Sequence, residues 1–441
     1  MVKFTYKNTD ELRQDIAALG LDLPVSDDLS ILKTPVNKIP NRLAVNPMEG
    51  ADSQPDGTPS ELVTRRYERF ATGGSGLLWV EACSVCHEGR ANPRQLYMHK
   101  GNVESLAQLA KDCAENSKKA IGDSAYSVLQ LTHSGRYAKP GAPLGAVIPQ
   151  ENEHLDKFLP PVHKIVTDQE LAELEDMFVD SAVMAHQAGY NAVDIKTCHR
   201  YLISELLSST RPGIYGGSFE NRTRLLLNVI DKINAKLDGK IDITLRINAY
   251  DQIPGGFGMD ENGQIDLTEI CTLAQILHKK GVKMINITGG NPYYNPHINR
   301  PYDAGGYTAQ EHQLIGVHRL LNAARQVKKA VPEMCVVASG FTWLREFGAN
   351  VAAGCIEQGW FDVAGFGRQA FAYPDFAKDI LEKGAMERKK TCICCSKCTT
   401  IMRDGGTTGC VIRDSEVYMP IYKAGREGKP EFFSDKVAEH I

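Results

Sequence analysis

Residues 168–195 read DQELAELEDMFVDSAVMAHQAGYNAVDI, and this stretch carries the alternation that sets the fold. Across Asp168–Ala188 the apolar positions Leu171, Leu174, Met177, Phe178, Ala182 and Ala185 recur at helical spacing, and Asn191–Ile195 follows as a short strand-like run. The unit repeats along the chain. Strand-like runs fall at Arg42–Asn46, Leu77–Glu81, Ser127–Leu131, Asn191–Ile195, Asp242–Ile247, Lys283–Ile287, Cys335–Ala338 and Asp362–Gly365, with helical patterns between them. Strands alternating with helices predict a parallel sheet, and eight such units predict a closed (β/α)8 TIM barrel of the α/β class. A doubly wound open sheet is the alternative. Residues 1–386 read as one barrel with an N-terminal extension (residues 1–40, with Pro24, Pro35 and Pro40), and 387–441 as a cysteine-rich C-terminal segment.

Composition narrows the function. The chain has 441 residues, 42% hydrophobic and 24% charged, enough for one large core. A net charge of −4 and a pI near 6.3, with no block of like charge, argue against nucleic acid or an anionic membrane as partner. Met1–Asp10 lacks the apolar core of a signal peptide, and the best apolar stretch, Leu77–Val80, ends at Glu81. A soluble cytoplasmic protein, acting as a homo-oligomer, is expected.

Barrel chemistry gathers at the carboxyl ends of the strands, and the informative residues fall there. The first strand runs into Pro47-Met48-Glu49, the second into Glu81-Ala82, and the third into Gln130-Leu131-Thr132-His133-Ser134-Gly135-Arg136. The fourth gives Lys196, His199 and Tyr201, and the fifth carries Arg246. Ser339-Gly340 after the seventh and Gly367-Arg368 after the eighth suit a phosphate, because glycine lets backbone N–H groups approach an anion and arginine adds charge-assisted bonds. A helix cap with a surface arginine is the plainer reading of Gly-Arg. Gln130 and Arg246 need partners at a barrel mouth. A flat ring rich in acceptors would serve, as would an internal ion pair with Glu81 or Glu49.

These segments carry a family resemblance. Gln130–Arg136 resembles the Q-L-x-H-x-G-R signature of the old yellow enzyme (NADH:flavin oxidoreductase) family. Asn191–Leu202, Glu205–Ser208 and Arg211–Arg222 resemble its long central motif. Asn41-Arg42, Pro47-Met48, Val80-Glu81-Ala82, Glu88-Gly89-Arg90 and Gly367-Arg368 follow in the family's order, so the resemblance covers residues 38 to about 380. It implies FMN across the barrel mouth. Pro47, Met48 and Ala82 would touch the ring, Gln130 and Arg246 would bond its pyrimidine side, and Ser339, Gly340, Gly367 and Arg368 would hold the phosphate. Lys196 and His199 match the pair that binds a substrate carbonyl, and Tyr201 matches the proton donor, whose pKa Lys196 is expected to lower. Two residues depart from the family pattern. Lys196 replaces His or Asn, and Glu49 stands where Thr or Cys is usual, a charge that disfavours flavin reduction unless paired.

Of twelve cysteines, five crowd together: Cys392, Cys394, Cys395, Cys398 and Cys410. In a reducing compartment such a set reads as metal ligands before disulfides. The resemblance is strongest towards the bacterial branch near 2,4-dienoyl-CoA reductase, where a similar cysteine set holds a [4Fe-4S] cluster. By that likeness Cys392, Cys395, Cys398 and Cys410 are the ligands, with the middle gap one residue short. Zinc and a redox-sensitive thiol patch stay open as alternatives. The branch's appended FAD and NAD(P)H modules have no counterpart here, so electrons come from NAD(P)H directly or from a separate donor protein. The expected activity is an ene-reductase, passing hydride from NAD(P)H through flavin to an activated C=C bond of a small unsaturated substrate. An amine dehydrogenase or demethylase, passing electrons outward through the cluster, is the alternative, and a non-catalytic electron carrier a third reading.

Overall fold

A computed structural model describes residues 3–429. Eight parallel strands form a closed barrel: β1 (Leu43–Val45), β2 (Leu77–Ser84), β3 (Tyr126–Thr132), β4 (Ala192–Ile195), β5 (Asp242–Asn248), β6 (Met284–Thr288), β7 (Cys335–Ser339) and β8 (Val363–Phe366). Each pairs with its sequence neighbour, and β1 closes the ring on β8 in the register Val45↔Phe366. The predicted strands are all present. β2 alone runs well past its predicted end, because its register against β3 shifts between Val80 and Cys83 and lets pairing resume beyond Glu81. A small parallel ladder, Ala146–Ile148 with His163–Ile165, lies outside the barrel and was not anticipated. Its strands are three residues long and one is exposed, too little for a periodic signal.

The two faces of each strand bury different cores, as the side-chain period of two requires. Leu77, Trp79, Val128, Ala192, Met284 and Val337 pack with one another in one cluster. Leu78, Val80, Leu129, Val193 and Ile285 belong to the larger cluster that includes the helices, among them Asp168–Gln187 with Leu171, Leu174, Phe178, Ala182 and Ala185 inward. No helix among the described residues is long and apolar enough to cross a membrane.

The described part of the C-terminal segment is bound tightly to the barrel. Its helices Lys397–Arg403 and Ser415–Arg426 share an apolar cluster with Leu62 of the first barrel helix, Glu61–Thr72. Asp414 pairs with Arg65 and Arg69 on that helix. A buried ion network lies beneath. Arg66 donates to Glu81 at 2.6 Å and to Asp52, while Thr407 donates to Asp52 at 2.6 Å and to the Gly50 carbonyl at 2.9 Å. The Gly50 amide donates in turn to Glu81. A Cβ at Gly50 would fall 2.3 Å from Arg66 Nη1, so only glycine admits this approach.

Breaking one side of a buried ion network leaves uncompensated charge and costs about 3–5 kcal/mol. Arg66→Met should therefore lower stability by that order in chemical denaturation. Arg13→Met, whose partners Asp10 and Asp27 are exposed, should cost under about 1 kcal/mol. Equal losses would show that the buried network carries no special weight.

Candidate active site

The loops at the carboxyl ends of the strands enclose a cavity of about 220 Å³. Of the twelve residues expected at a flavin and substrate site, eleven line it: Pro47, Met48, Gln130, Lys196, His199, Tyr201, Arg246, Ser339, Gly340, Gly367 and Arg368. Ala82 does not. It is buried in β2, where its carbonyl accepts from Gln95 Nε2 at 3.0 Å.

Asp194 organises the floor of the cavity, a role the sequence reading missed. Its carboxylate accepts from Gln130 Nε2 at 2.6 Å, Trp79 Nε1 at 2.8 Å and the Arg246 amide at 2.7 Å. Burial pushes its pKa up to about 6, against the pull of these donors. Arg246 also donates to the Pro47 carbonyl at 3.2 Å. Three strands thus present one amide and one guanidinium from a fixed base.

The far wall is strongly cationic. Arg300, not anticipated from sequence, lines the cavity with Arg368. Burial, with Arg368 beside it, holds the Arg300 guanidinium below its ordinary pKa. Arg368 donates to the Pro301 carbonyl at 2.7 Å. Yet Arg246 Nε, Arg300 Nε and Arg368 Nη1 are buried without partners among the described residues. Orphaned buried donors on crowded cations call for an anion. Gly340, at φ +127°, adopts a backbone that suits glycine, and a Cβ at Gly367 would meet Met48 Sδ at 3.4 Å. This donor set fits a mononucleotide's phosphate and acceptor-rich ring.

The β4 loop holds its side chains by strain. His199 and Arg200 are consecutive left-handed residues, at φ 65° and 61°. Arg200 is anchored by Asp251 at 3.0 Å and Ser208 at 2.6 Å. His199 Nε2 lies 3.1 Å from Asn299 Nδ2, which donates to it and leaves the ring proton on Nδ1. Burial, and then the charges of Arg246, Lys196 and Arg300, push His199 well below its ordinary pKa, so the imidazole is neutral. The rest of the Gln130–Arg136 motif buttresses this loop. Gly135 abuts Leu202, and Arg136 pairs with Glu205 at 2.7 Å.

Lys196 is engaged by its neighbours in the cavity wall. Its ammonium donates to Glu49 Oε1 at 2.9 Å and sits 3.7 Å from the centre of the Tyr201 ring. Tyr201 donates to the same oxygen at 2.9 Å. The expected lowering of the Tyr201 pKa is reversed, because burial and the Glu49 charge push the phenol well above its ordinary value. Glu49 is accordingly paired, which removes the objection to a carboxylate beside a flavin. Tyr137 and Tyr293 stack at 3.8 Å, with the Tyr293 hydroxyl 3.3 Å from that of Tyr201; of the two rings, Tyr293 lines the cavity and Tyr137 backs it. Of the two loops expected to shape the pocket, Asn291–Tyr302 supplies Pro292, Tyr293, Asn299, Arg300 and Pro301, whereas Gly255–Gly258 supplies none.

The C-terminal segment completes the wall with Cys398, Thr399, Met402, Arg403 and Thr408. Cys392, Cys395, Cys398 and Cys410 line one small adjoining cavity, which Arg368 and Phe371 share with the larger one. Backbone amides donate to Cys392 Sγ from Cys394 at 3.4 Å and to Cys410 Sγ from Arg413 at 3.3 Å. Cys394 donates its thiol to the Thr342 carbonyl and also lies against the Cys392 side chain. Among the described residues the thiols are not drawn together into a ligand set for one ion.

The chain is similar to known proteins in sequence and in fold. The family model for the NADH:flavin oxidoreductase / NADH oxidase family matches residues 32–386. An NADH:flavin oxidoreductase of Gibberella zeae is 29% identical over 321 residues, covering 68% of this chain and 73% of the relative. An NADPH dehydrogenase of Halalkalibacterium halodurans is 31% identical over 255 residues, covering 57% of this chain and 69% of the relative. The solved structure of a 2-naphthoyl-CoA reductase superposes with a TM-score of 0.72 at 20% identity over 92% of this chain, which spans 59% of that protein. With the family model matching most of the barrel, the chain belongs to the NADH:flavin oxidoreductase family, that of old yellow enzyme, and is an FMN-dependent oxidoreductase using NAD(P)H.

Proposed function

We propose that the protein is an ene-reductase acting on a C=C bond conjugated to a carbonyl or carboxyl group. The observation that carries this reading is the charge of the cavity. Five cations line it (Lys196, Arg246, Arg300, Arg368 and Arg403), while its one lining carboxylate among the described residues, Glu49, is already paired. With three of these arginines given to the flavin and Lys196 held by Glu49, the wall, among the described residues, leaves no unpaired carboxylate to receive a protonated amine. That weighs against the amine dehydrogenase alternative.

Bound FMN would supply the two-electron chemistry, taking hydride from NAD(P)H and delivering it to the substrate's β-carbon. Pro47, Met48, Gln130 and Arg246 would hold its ring, and Ser339, Gly340, Gly367, Arg368 and Arg300 its phosphate. Tyr201 holds the proton for the α-carbon, since its raised pKa keeps the phenol protonated at neutral pH. His199, neutral and held by its left-handed backbone, would orient the substrate oxygen, and Tyr293, backed by Tyr137, would stack on a planar acceptor. Cys392, Cys395, Cys398 and Cys410 are proposed to ligate a [4Fe-4S] cluster, whose thiolate donors they supply. Zinc is the alternative. A homo-oligomer and a separate electron-donor protein are further expectations of this reading.

Three outcomes follow. Arg300→Ala and Arg246→Ala should each weaken FMN binding by about 10–100-fold, the loss of a charge-assisted bond worth about 1.5–3 kcal/mol, measured by flavin fluorescence on release. Unchanged affinity would remove that arginine from the flavin site. Tyr201→Phe should leave anaerobic flavin reduction by NAD(P)H intact and slow reoxidation by a weakly activated enone about 10²–10⁴-fold. An unaltered second half-reaction would place the proton donor elsewhere. Anaerobically purified protein should contain iron and labile sulfide, and Cys394→Ser should keep both; about one zinc and no iron would decide for the structural site.

A further inference from the structure

Glu49 stands where two cavities meet. Besides the catalytic cavity it lines a second chamber of about 690 Å³, walled in part by Tyr137, Tyr293, Lys139 and Arg403. Its side chain is 15% exposed, whereas that of Lys196 is 4% and Tyr201 as a residue is 3% exposed. Within this trio only Glu49 has substantial access to water.

The hydrogen bonding poses a problem for Tyr201. A phenol has one proton, and here it points at Glu49 Oε1, 2.9 Å away. A proton directed at a carboxylate is released to a substrate carbon only if another proton replaces it on the phenol oxygen. Direct replacement by water is blocked by the burial of Tyr201, so the route runs through the group it already touches.

Resting on the ene-reductase reading, we infer that Glu49 is a positioning and proton-relay residue that recharges Tyr201 from the second chamber. The Tyr201 O–H bond breaks as the substrate C–H bond forms. The Glu49 carboxylate then takes a proton from water, which leaves hydroxide to the bulk, and passes it to the phenolate oxygen, so that Glu49 returns to the carboxylate and Tyr201 to the phenol. No electrons move in the relay. Lys196 keeps one positive charge beside both oxygens throughout, by its 2.9 Å bond to Glu49 and its place over the Tyr201 ring.

The test compares the holoenzyme with Glu49→Gln, which is nearly isosteric, and with Glu49→Ala. In alkaline ultraviolet difference titration, each protein read against its own Tyr201→Phe partner, the Tyr201 phenol should ionise at lower pH in Glu49→Gln, because the anion beside it is gone. Reoxidation of the reduced enzyme by a weakly activated enone should slow about 10²-fold in both Glu49 variants, the lower end of general acid catalysis. Formate or acetate should restore the rate in Glu49→Ala and leave Tyr201→Phe unchanged. An identical phenol titration, or wild-type reoxidation of Glu49→Ala without added acid, overturns the inference. If no acceptor reoxidises even the wild-type protein, the ene-reductase reading fails, and the titration still decides whether Glu49 controls the phenol.

Discussion

The buried guanidinium of Arg66 is the constraint on which the catalytic mouth depends. It draws Asp52 and Glu81 together beneath the loop after β1, and the Gly50 amide and Thr407 hydroxyl close the network. That loop carries Pro47, Met48 and Glu49 into the cavity. A charge buried so deeply must keep its partners, so the loop's path is fixed from below. The same bonds seize the C-terminal segment, since Thr408 also donates to the Gly50 carbonyl at 2.6 Å. Flavin-side loop and cysteine segment are therefore held by one set of interactions.

Above this base the site divides by charge. Asp194, a buried carboxylate whose charge three donors satisfy, orients amide and guanidinium groups from beneath the cavity. The opposite wall crowds Arg300 and Arg368 with nitrogens left unpartnered. Two buried cations side by side repel each other, and an anion between them relieves that repulsion. The fold thus stores a demand for a phosphate where the seventh and eighth strands end, the usual place in such barrels.

The proton side of the site uses the opposite arrangement. Glu49, Lys196 and Tyr201 form a compact, nearly neutral trio, and the carboxylate raises the phenol's hold on its proton. Against the family pattern, this chain has a lysine where a carbonyl-binding side chain is usual and an acid where a small residue is usual. Either change alone would damage the site, one by misplacing a cation and the other by opposing electrons on the flavin. Together they cancel.

The eight strands and their order were legible in the chain because period-two and period-3.6 burial are local properties of sequence. The mouth residues were legible because a parallel barrel puts every strand's carboxyl end on one side. The resemblance then named Gln130, Arg246, His199 and Tyr201, and each lines the cavity. What the sequence left open depends on pairings across long separations. Glu49 and Lys196 are 147 residues apart, so nothing local reveals that they neutralise each other. Arg300 lies in a loop with no periodic signal, and Asp194 looks like one polar residue in an apolar strand. Ala82 was placed beside the ring by analogy, but the irregular pairing of β2 leaves it outside the lining. The chain by itself determined which elements form and which ends face the site. Only the closed barrel decided which charges meet, because the energy of a buried charge is set by its neighbours in space and not by its neighbours in the chain.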